Sequence, residues 1–113
     1  MNDIKNHVKN HVQSIAANLT NPPDEWNEGR DLNNEGEFSA FDYLQDALDI
    51  EYIVNSKGEY LGARVLVAFG GPNIWVNTRT KTVEGHWWGD SATAGFSDAL
   101  GLDEALEELW NCR

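Results

Sequence analysis

The chain has few of the residues that build redox centres or membrane-spanning segments. Its 113 residues include one cysteine, Cys112, so no disulfide can form within the chain. No apolar run approaches the ~20 residues that a transmembrane helix needs. The opening residues (MNDIKNHVKNHVQ) lack the apolar centre of a secretory signal. We therefore expect a cytoplasmic protein that makes no membrane contact and carries a spare thiol near its C-terminus.

Basic residues are also scarce, and this limits the partners that the chain can have. Eight Lys and Arg stand against nineteen Asp and Glu, which gives a formal net charge of -11. A nucleic-acid backbone and an anionic bilayer carry the same sign of charge, so we expect no direct nucleic-acid or membrane binding. A protein with a basic surface is the partner that this charge favours.

Sequence motifs for catalysis or metal binding are missing as well. There is no P-loop, no HExxH pair and no serine or cysteine in a nucleophile elbow. His7 and His11 have the i, i+4 spacing of two zinc ligands, but polar neighbours favour a solvated helix face for them. His86 with Asp90 or Asp98 is the one His–carboxylate combination near predicted strand ends. We expect no enzyme activity, no cofactor and no metal.

The hydrophobic pattern predicts a helix at each end of a single domain spanning residues 1–113. Apolar residues at helical spacing predict a helix over residues 3–19, which Pro22 and Pro23 end. An acidic loop over residues 22–37 follows, so the N-terminal helix, residues 1–21, is expected to be semi-detached or to pair with another copy. Ser39 and Asp42 resemble a capping box for a helix over 40–48, and a last helix runs from Leu102 to Trp110.

The middle of the chain predicts strands joined by short turns. The glycine-, serine- and alanine-rich residues 89–95 are interpreted as a loop. Short connections favour an antiparallel meander, so the predicted fold is α+β: a four-stranded antiparallel meander with helices packed mainly on one face, in the order α-α-β-β-β-β-α. The predicted strands cover residues 51–55, 60–69, 74–78 and 82–88.

Three of the five tryptophans lie between Gly70 and Asp90, where they suit either a core or a binding surface. A purely structural role would place these tryptophans in the core, with the Trp75 ring packed over Gly85 and with Trp88 beneath the loop at 89–95. Burial is the usual situation of large aromatic residues, so we favour this role. Alternation along the strand nevertheless sets Trp75 on the face opposite to Ile74. Trp75 and Trp88 therefore stay candidates for partner binding.

The acidic stretch from residue 24 to residue 51 is the stronger candidate for a binding surface. It contains ten acids and a single base, Arg30, and it includes Trp26 and Leu32 as large apolar anchors. A solvated face that keeps the protein soluble is the alternative. The predicted partner-binding residues of this stretch are Asp24, Glu25, Trp26, Glu28, Asp31, Glu35, Glu37, Asp42, Asp46 and Asp49.

Two segments carry a resemblance to a known group of proteins. The stretches LVAFGGPNIWVNTRTKTVEGHWWGD and ALGLDEALEELWNC resemble small uncharacterised acidic proteins carried by phages and mobile elements of gut bacteria. The likeness covers about residues 52–112. By size, charge and origin it implies an inhibitor of host defence, of the nucleic-acid-mimic or anti-defence type. The alternative is a structural or accessory protein that forms a homodimer through its sheet face or N-terminal helix.

Overall fold

A computed structural model describes residues 2–30 and 36–113 of the chain. Asp31, Leu32 and Glu35 of the predicted binding segment lie outside the described residues. The helices are α1 (Asn2–Thr20), a short 3-10 helix (Asp24–Asn27), α2 (Ala40–Leu44) and α3 (Leu102–Asn111). The strands are β1 (Asp49–Val54), β2 (Tyr60–Ala68), β3 (Asn73–Asn77), β4 (Thr82–Trp87) and β5 (Asp90–Gly95).

The sheet is an antiparallel meander in which each strand pairs with the next, in the order β1-β2-β3-β4-β5. The α+β prediction is confirmed, but the expected four strands are wrong because residues 90–95 form a fifth strand instead of a loop. Trp88 and Gly89 have φ values of 54° and 80°. Two successive positive φ angles make the tight primed turn that joins neighbouring strands, so the chain reverses directly from β4 into β5.

The side of the sheet that faces the helices, here called the helix side, holds the core. Ala63, Val65, Ile74, Val76 and Val83 point to this side and are completely buried. They lie opposite one another across β2, β3 and β4, so their side chains form one continuous apolar layer. Helix α1 packs over β4 and β5, while α3 packs over β2. The opposite surface, here called the open side, has no helix against it in the described part of the chain.

Helix α1 belongs to the core, which corrects the expectation of a semi-detached helix. Val8, Val12 and Leu19 are buried against the sheet. Gly85 makes this close approach feasible, since an added Cβ there would lie 2.7 Å from Val12 Cγ1 and 3.0 Å from Val8 Cγ1. The predicted packing of Trp75 over Gly85 is wrong, because Gly85 pairs with Ile74 on the helix side.

Helix α2 starts where the sequence predicts and ends sooner. The capping box is confirmed: the Ser39 N–H donates to Asp42 Oδ2 at 2.8 Å, and the Asp42 N–H donates to Ser39 Oγ at 3.3 Å. The helix ends at Leu44, four residues before the predicted end. By Leu48 the backbone N–H already donates to the carbonyl of Leu66, at 2.9 Å, so tertiary pairing with β2 ends the helical run.

A buried threonine fixes the β3–β4 turn to β2. Thr78 is 1% exposed. Its hydroxyl accepts a hydrogen bond from the Ala63 N–H at 2.9 Å and donates one to the Ala63 carbonyl at 3.3 Å. The Thr78 N–H donates to the same carbonyl at 2.8 Å. This one residue therefore satisfies both backbone groups of Ala63, which is completely buried.

Across the described residues, no helix combines the length and the apolar character that crossing a membrane requires.

Candidate functional site

Trp26 lies at the centre of an aromatic cluster on the helix side of the fold. Its ring centroid is 5.0 Å from that of Phe38 and 5.8 Å from that of Tyr43, with the planes tilted at 49° and 43°. These distances fall in the range in which aromatic pairs attract one another. Trp26 is half-buried, so part of its ring is anchored in the fold and part is accessible.

Local sequence signals explain how the three rings come together. Pro23 precedes the 3-10 helix that carries Trp26. Ser39 is the N-cap of α2, so Phe38 and Tyr43 occupy the N′ and N4 positions at which a hydrophobic staple forms. The Phe38 N–H also donates to Asn27 Oδ1 at 2.7 Å, which ties the start of α2 to the 3-10 helix. The sequence analysis did not identify Phe38 and Tyr43 as site residues, although their spacing around the Ser39 N-cap is that of a hydrophobic staple.

Two clefts flank the Trp26–Phe38 pair. The first has a volume of about 420 Å³ and is mainly apolar, and the second has a volume of about 470 Å³ and is more polar. Volumes of this size lie at the lower end of the range for small-ligand pockets. The first cleft is lined by Ile15, Trp26, Phe38, Tyr43, Asp46, Ala47 and Val67. The second is lined by Pro22, Pro23, Asp24, Trp26, Asn27, Glu37, Phe38, Ala99 and Leu100.

Carboxylates are the charged groups that line the two clefts. Asp46 lines the first cleft, Asp24 and Glu37 line the second, and all three residues are exposed. We call the two clefts together, with these three carboxylates, the Trp26 surface. Asp24, Trp26, Glu37 and Asp46 are the predicted partner-binding residues that line these clefts, and their role in binding stays a prediction.

Asp42 of the predicted set is engaged within the fold. Arg30 Nη2 lies 3.4 Å from Asp42 Oδ2, and Arg30 Nε donates to the Gly36 carbonyl at 3.0 Å. Hydrogen bonds from Ser39, first from its backbone N–H and then from its hydroxyl, hold the pKa of Asp42 below its usual range, and Arg30 adds to the effect. Asp42 therefore positions α2 and keeps its charge at low pH.

Tyr43 gives the cluster a measurable response to alkaline pH. Burial raises the pKa of Tyr43 from 10.0 to about 12. The folded state thus keeps a proton that the unfolded state loses above pH 10. The stability that this provides is complete below that pH and is lost as the pH rises through 12.

We expect the free energy of unfolding to fall by about 2 kcal/mol over this interval because of Tyr43. Urea denaturation at a series of pH values measures it. In Tyr43→Phe the free energy of unfolding should fall less over this interval. The remaining decrease should include the contribution of Tyr60, whose pKa burial also raises. If the free energy of unfolding of Tyr43→Phe fell with pH as steeply as that of the unmodified protein, the attribution to Tyr43 would be contradicted.

The other acids of the predicted set do not line the clefts. Glu25 and Glu28 are exposed in and just after the 3-10 helix, adjacent in the chain to the Trp26 surface. Asp49 begins β1, where it pairs with Leu66 on the open side of the sheet. Asp31 and Glu35 lie outside the described residues.

The two hairpin tryptophans lie away from the Trp26 surface and differ from each other. Trp75 is half-buried on the open side, where the Arg64 guanidinium carbon lies 4.2 Å from its ring centroid. Arg64 in turn pairs with Glu51 at 2.9 Å and Glu84 at 3.7 Å. Trp88 is 77% exposed at the β4–β5 turn, so its expected packing beneath a loop is wrong.

The histidine and aspartate candidates are divided between two ends of the fold. His86 and Asp90 line a cleft of about 330 Å³ beside the β4–β5 turn. Asp98 lies beyond the other end of β5, where its carboxylate accepts hydrogen bonds from the N–H groups of Leu102 at 2.7 Å and Asp103 at 2.9 Å. Asp98 therefore caps the start of α3.

His7 and His11 lie close to each other on α1. Their ring centroids are 4.3 Å apart, and the His7 ring lies 5.3 Å from that of Trp87. Among the side chains that the structure describes, those of residues 7–30 and 36–113, no three His, Cys, Asp or Glu are grouped as a metal site would require.

No family model, curated protein or solved structure matches this chain. The resemblance to phage and mobile-element proteins therefore stays a prediction.

Proposed function

We propose that the protein is a non-enzymatic binding protein whose Trp26 surface occupies a basic site on a partner protein. The observation that carries this proposal is the pairing of an apolar, aromatic-lined cleft with carboxylates, in a chain of net charge -11. Buried aromatic anchors supply most of the affinity at protein interfaces, and complementary charge supplies orientation and a fast association rate.

The two clefts suggest how a partner is held. An apolar side chain of the partner fits the first cleft, against the faces of Trp26 and Tyr43. Basic side chains beside it reach Asp46 on one side and Asp24 and Glu37 on the other, because the Trp26–Phe38 pair borders both clefts. An apolar residue flanked by Lys or Arg is therefore the partner chemistry that we propose.

Acidic residues of α3 add to the negative charge on the helix side of the sheet. Helix α3 packs over β2 and contacts α2, so it belongs to the helix side. Glu104, Glu107 and Glu108 of α3 are exposed. Ala99 and Leu100, just before α3, line the second cleft. A broad negative surface of this kind can reproduce the field of a nucleic-acid backbone for a basic groove.

For the class of partner, we propose a nucleic-acid-binding protein of a host defence system. This part of the proposal rests on the resemblance to phage and mobile-element proteins and on the acidic surface. It makes the chain an inhibitor that competes with nucleic acid, acting in the cytoplasm of a bacterial host.

The test compares two triple variants that remove the same amount of charge from different places. Asp24→Asn/Glu37→Gln/Asp46→Asn neutralises the Trp26 surface. Asp49→Asn/Glu59→Gln/Asp90→Asn neutralises three acids elsewhere. Each immobilised protein is exposed to bacterial lysate at low and at high salt, and captured proteins are identified and titrated individually.

We expect a basic, nucleic-acid-binding protein that is retained at low salt and released at high salt. The Trp26-surface variant should bind it about tenfold more weakly, since three lost charge pairs at about 0.5 kcal/mol each sum to the ~1.4 kcal/mol of a tenfold change. The control variant should stay within about threefold. Absence of a salt-sensitive basic partner would refute the proposal, and equal losses in both variants would assign binding to net charge alone.

The alternative function, that of a self-associating structural or accessory protein, has one observation in its favour. Leu66 and Trp75 are half-buried neighbours on the open side, and no described helix packs against them. The apolar stripe of α1 offers no such support, because Val8, Val12 and Leu19 are buried within the chain.

A further inference from the structure

Strand β5 is an unprotected sheet edge. Its sequence, DSATAG, contains no proline, lysine or arginine, and its one charged residue, Asp90, lies at the turn end of the strand. The pairing of β5 with β4 is regular from Trp87–Asp90 to Thr82–Gly95. Natural sheet edges are usually blunted by charge, proline or a bulge, because unpaired backbone groups attract another strand. The opposite edge is protected in this way: β1 carries Asp49 and Glu51 and has an irregularity between Ile53 and Val54.

The β4–β5 turn determines which backbone groups of β5 point outward. In a two-residue hairpin the flanking residues, Trp87 and Asp90, form a hydrogen-bonded pair, and such pairs recur at every second residue. The Phe96 N–H donates to the Lys81 carbonyl at 3.0 Å, which confirms the same alternation of hydrogen-bonded pairs at the end of β5 distant from the turn. The N–H and C=O groups of Ser91, Thr93 and Gly95 therefore point away from β4.

The backbone groups of β5 that point away from β4, here called the outward row, end where the chain contacts helix α1. The Ser97 N–H, next in the row after Gly95, donates to the Thr20 hydroxyl at 3.0 Å. Ser91, Thr93 and Gly95 are exposed, whereas Ala92 and Ala94 between them are partly covered by the helix side. The row thus comprises three residues centred on Thr93, and it has a donor and an acceptor at each.

We propose that β5 pairs with β5 of a second copy, in antiparallel register about Thr93, to form a homodimer with a continuous ten-stranded sheet. In this register Thr93 of one chain pairs with Thr93 of the other, and Ser91 of each chain pairs with Gly95 of the other. Every outward donor then meets an outward acceptor, which gives six hydrogen bonds related by a two-fold axis. The proposal goes beyond the binding function assigned to the Trp26 surface.

The distribution of charge allows a second copy of the chain to reach this edge. Two chains of net charge -11 can approach closely only where carboxylates are few. The acidic residues of α2 and β1 lie at the β1 end of the sheet, and β5 is the strand at the opposite end. Asp90 is the one acid in β5, and in the proposed register it lies away from the two-fold axis.

The groove beside β5 is suited to the same contact. A cleft of about 430 Å³ between α1 and the edge of β5 is lined by short side chains, including Ala16, Ala17 and Ala94, and by Gln13. Because α1 covers both β4 and β5, the two copies of α1 would lie about two strand spacings apart, which is roughly 10 Å. Helices pack at about this distance, so Ala17 and the uncharged Gln13 can form the seam between them.

The first test removes the outward N–H of Thr93. Thr93→Pro deletes a donor that β4 does not use, and proline is tolerated at edge strands, so the monomer should stay folded. We expect a concentration-dependent dimer for the unmodified protein in sedimentation velocity, and at least about a 100-fold weaker association for Thr93→Pro, because two bonds at the axis are lost and the ring blocks approach. Thr93→Val keeps the N–H and should stay within about threefold.

The second test uses the self-pairing of Thr93 and does not depend on tolerance of proline. Thr93→Lys and Thr93→Glu should each be monomeric, since like charges meet at the axis, whereas their equimolar mixture should form a heterodimer. A protein that is monomeric up to near-millimolar concentration would overturn the proposal. So would a dimer that Thr93→Pro leaves intact, or lysine and glutamate variants that show no mutual rescue.

Discussion

Replacing Gly85 with alanine is expected to lower the free energy of unfolding by about 2–3 kcal/mol, and replacing it with valine by more. The added Cβ would lie 2.7 Å from Val12 Cγ1 and 3.0 Å from Val8 Cγ1. Valine side chains on a helix are stiff at χ1, so they cannot turn aside. Helix α1 must then lift from β4, and the buried layer that includes Val8 and Val12 opens. Chemical denaturation of the purified variants measures the loss.

A double-mutant cycle separates this steric effect from the general cost of changing a strand glycine. Val12→Ala removes the nearer methyl groups, so Gly85→Ala should cost about 1–2 kcal/mol less in that background than in the unmodified protein. Gly95→Ala is the matched control, because an added Cβ there meets only the Lys81 carbonyl at 3.8 Å. A Gly85→Ala variant as stable as Gly95→Ala would show that α1 does not pack closely on β4.

Thr78→Val is expected to destabilise the fold by about 2–3 kcal/mol although it hardly changes the volume of the side chain. The Ala63 N–H, which donates to Thr78 Oγ1 at 2.9 Å, would be left without that acceptor in a buried position. The Ala63 carbonyl would also lose one of its two donors. Thermal and urea denaturation should show the loss.

Thr78→Ser provides the comparison, because it keeps the hydroxyl and removes only a methyl group. We expect a cost of about 1 kcal/mol for it, from the lost burial. Should serine prove as costly as valine, packing of the methyl group would outweigh the hydrogen bonds at this position.

The sequence predicted most of the elements because their signals are local. Ser39 and Asp42 specify a helix start within four residues, and the turn residues between strands specify hairpins. Strand β5 was missed for a physical reason. Its turn requires positive φ at Trp88, which a bulky residue adopts rarely, so the sequence there lacks the usual Asn-Gly or Asp-Gly signal. The end of α2 was missed because β2 determines it through the Leu48–Leu66 hydrogen bond.

The candidate site was predictable only as a distribution of charge. Acids between positions 24 and 51 are visible in the sequence, but nothing local indicates that Asp24 and Asp46 line neighbouring clefts while Asp49 lies on the open side. The walls of the first cleft come from α1, the 3-10 helix, α2 and β2. Tertiary packing brings these elements together, so no single window of sequence contains the site.

The packing of α1 against the last two strands has a consequence for synthesis. The Ser97–Thr20 hydrogen bond joins residues 77 positions apart, whereas the hairpins of the sheet close over short distances. A ribosome adding about 5–20 residues per second needs roughly 4–15 seconds to make the chain between them. Helix α1 is synthesised before β4 and β5 and must wait for them, and its apolar stripe stays exposed to chaperones throughout that time. Sheet formation from the local hairpins should therefore precede the docking of α1 onto β4 and β5.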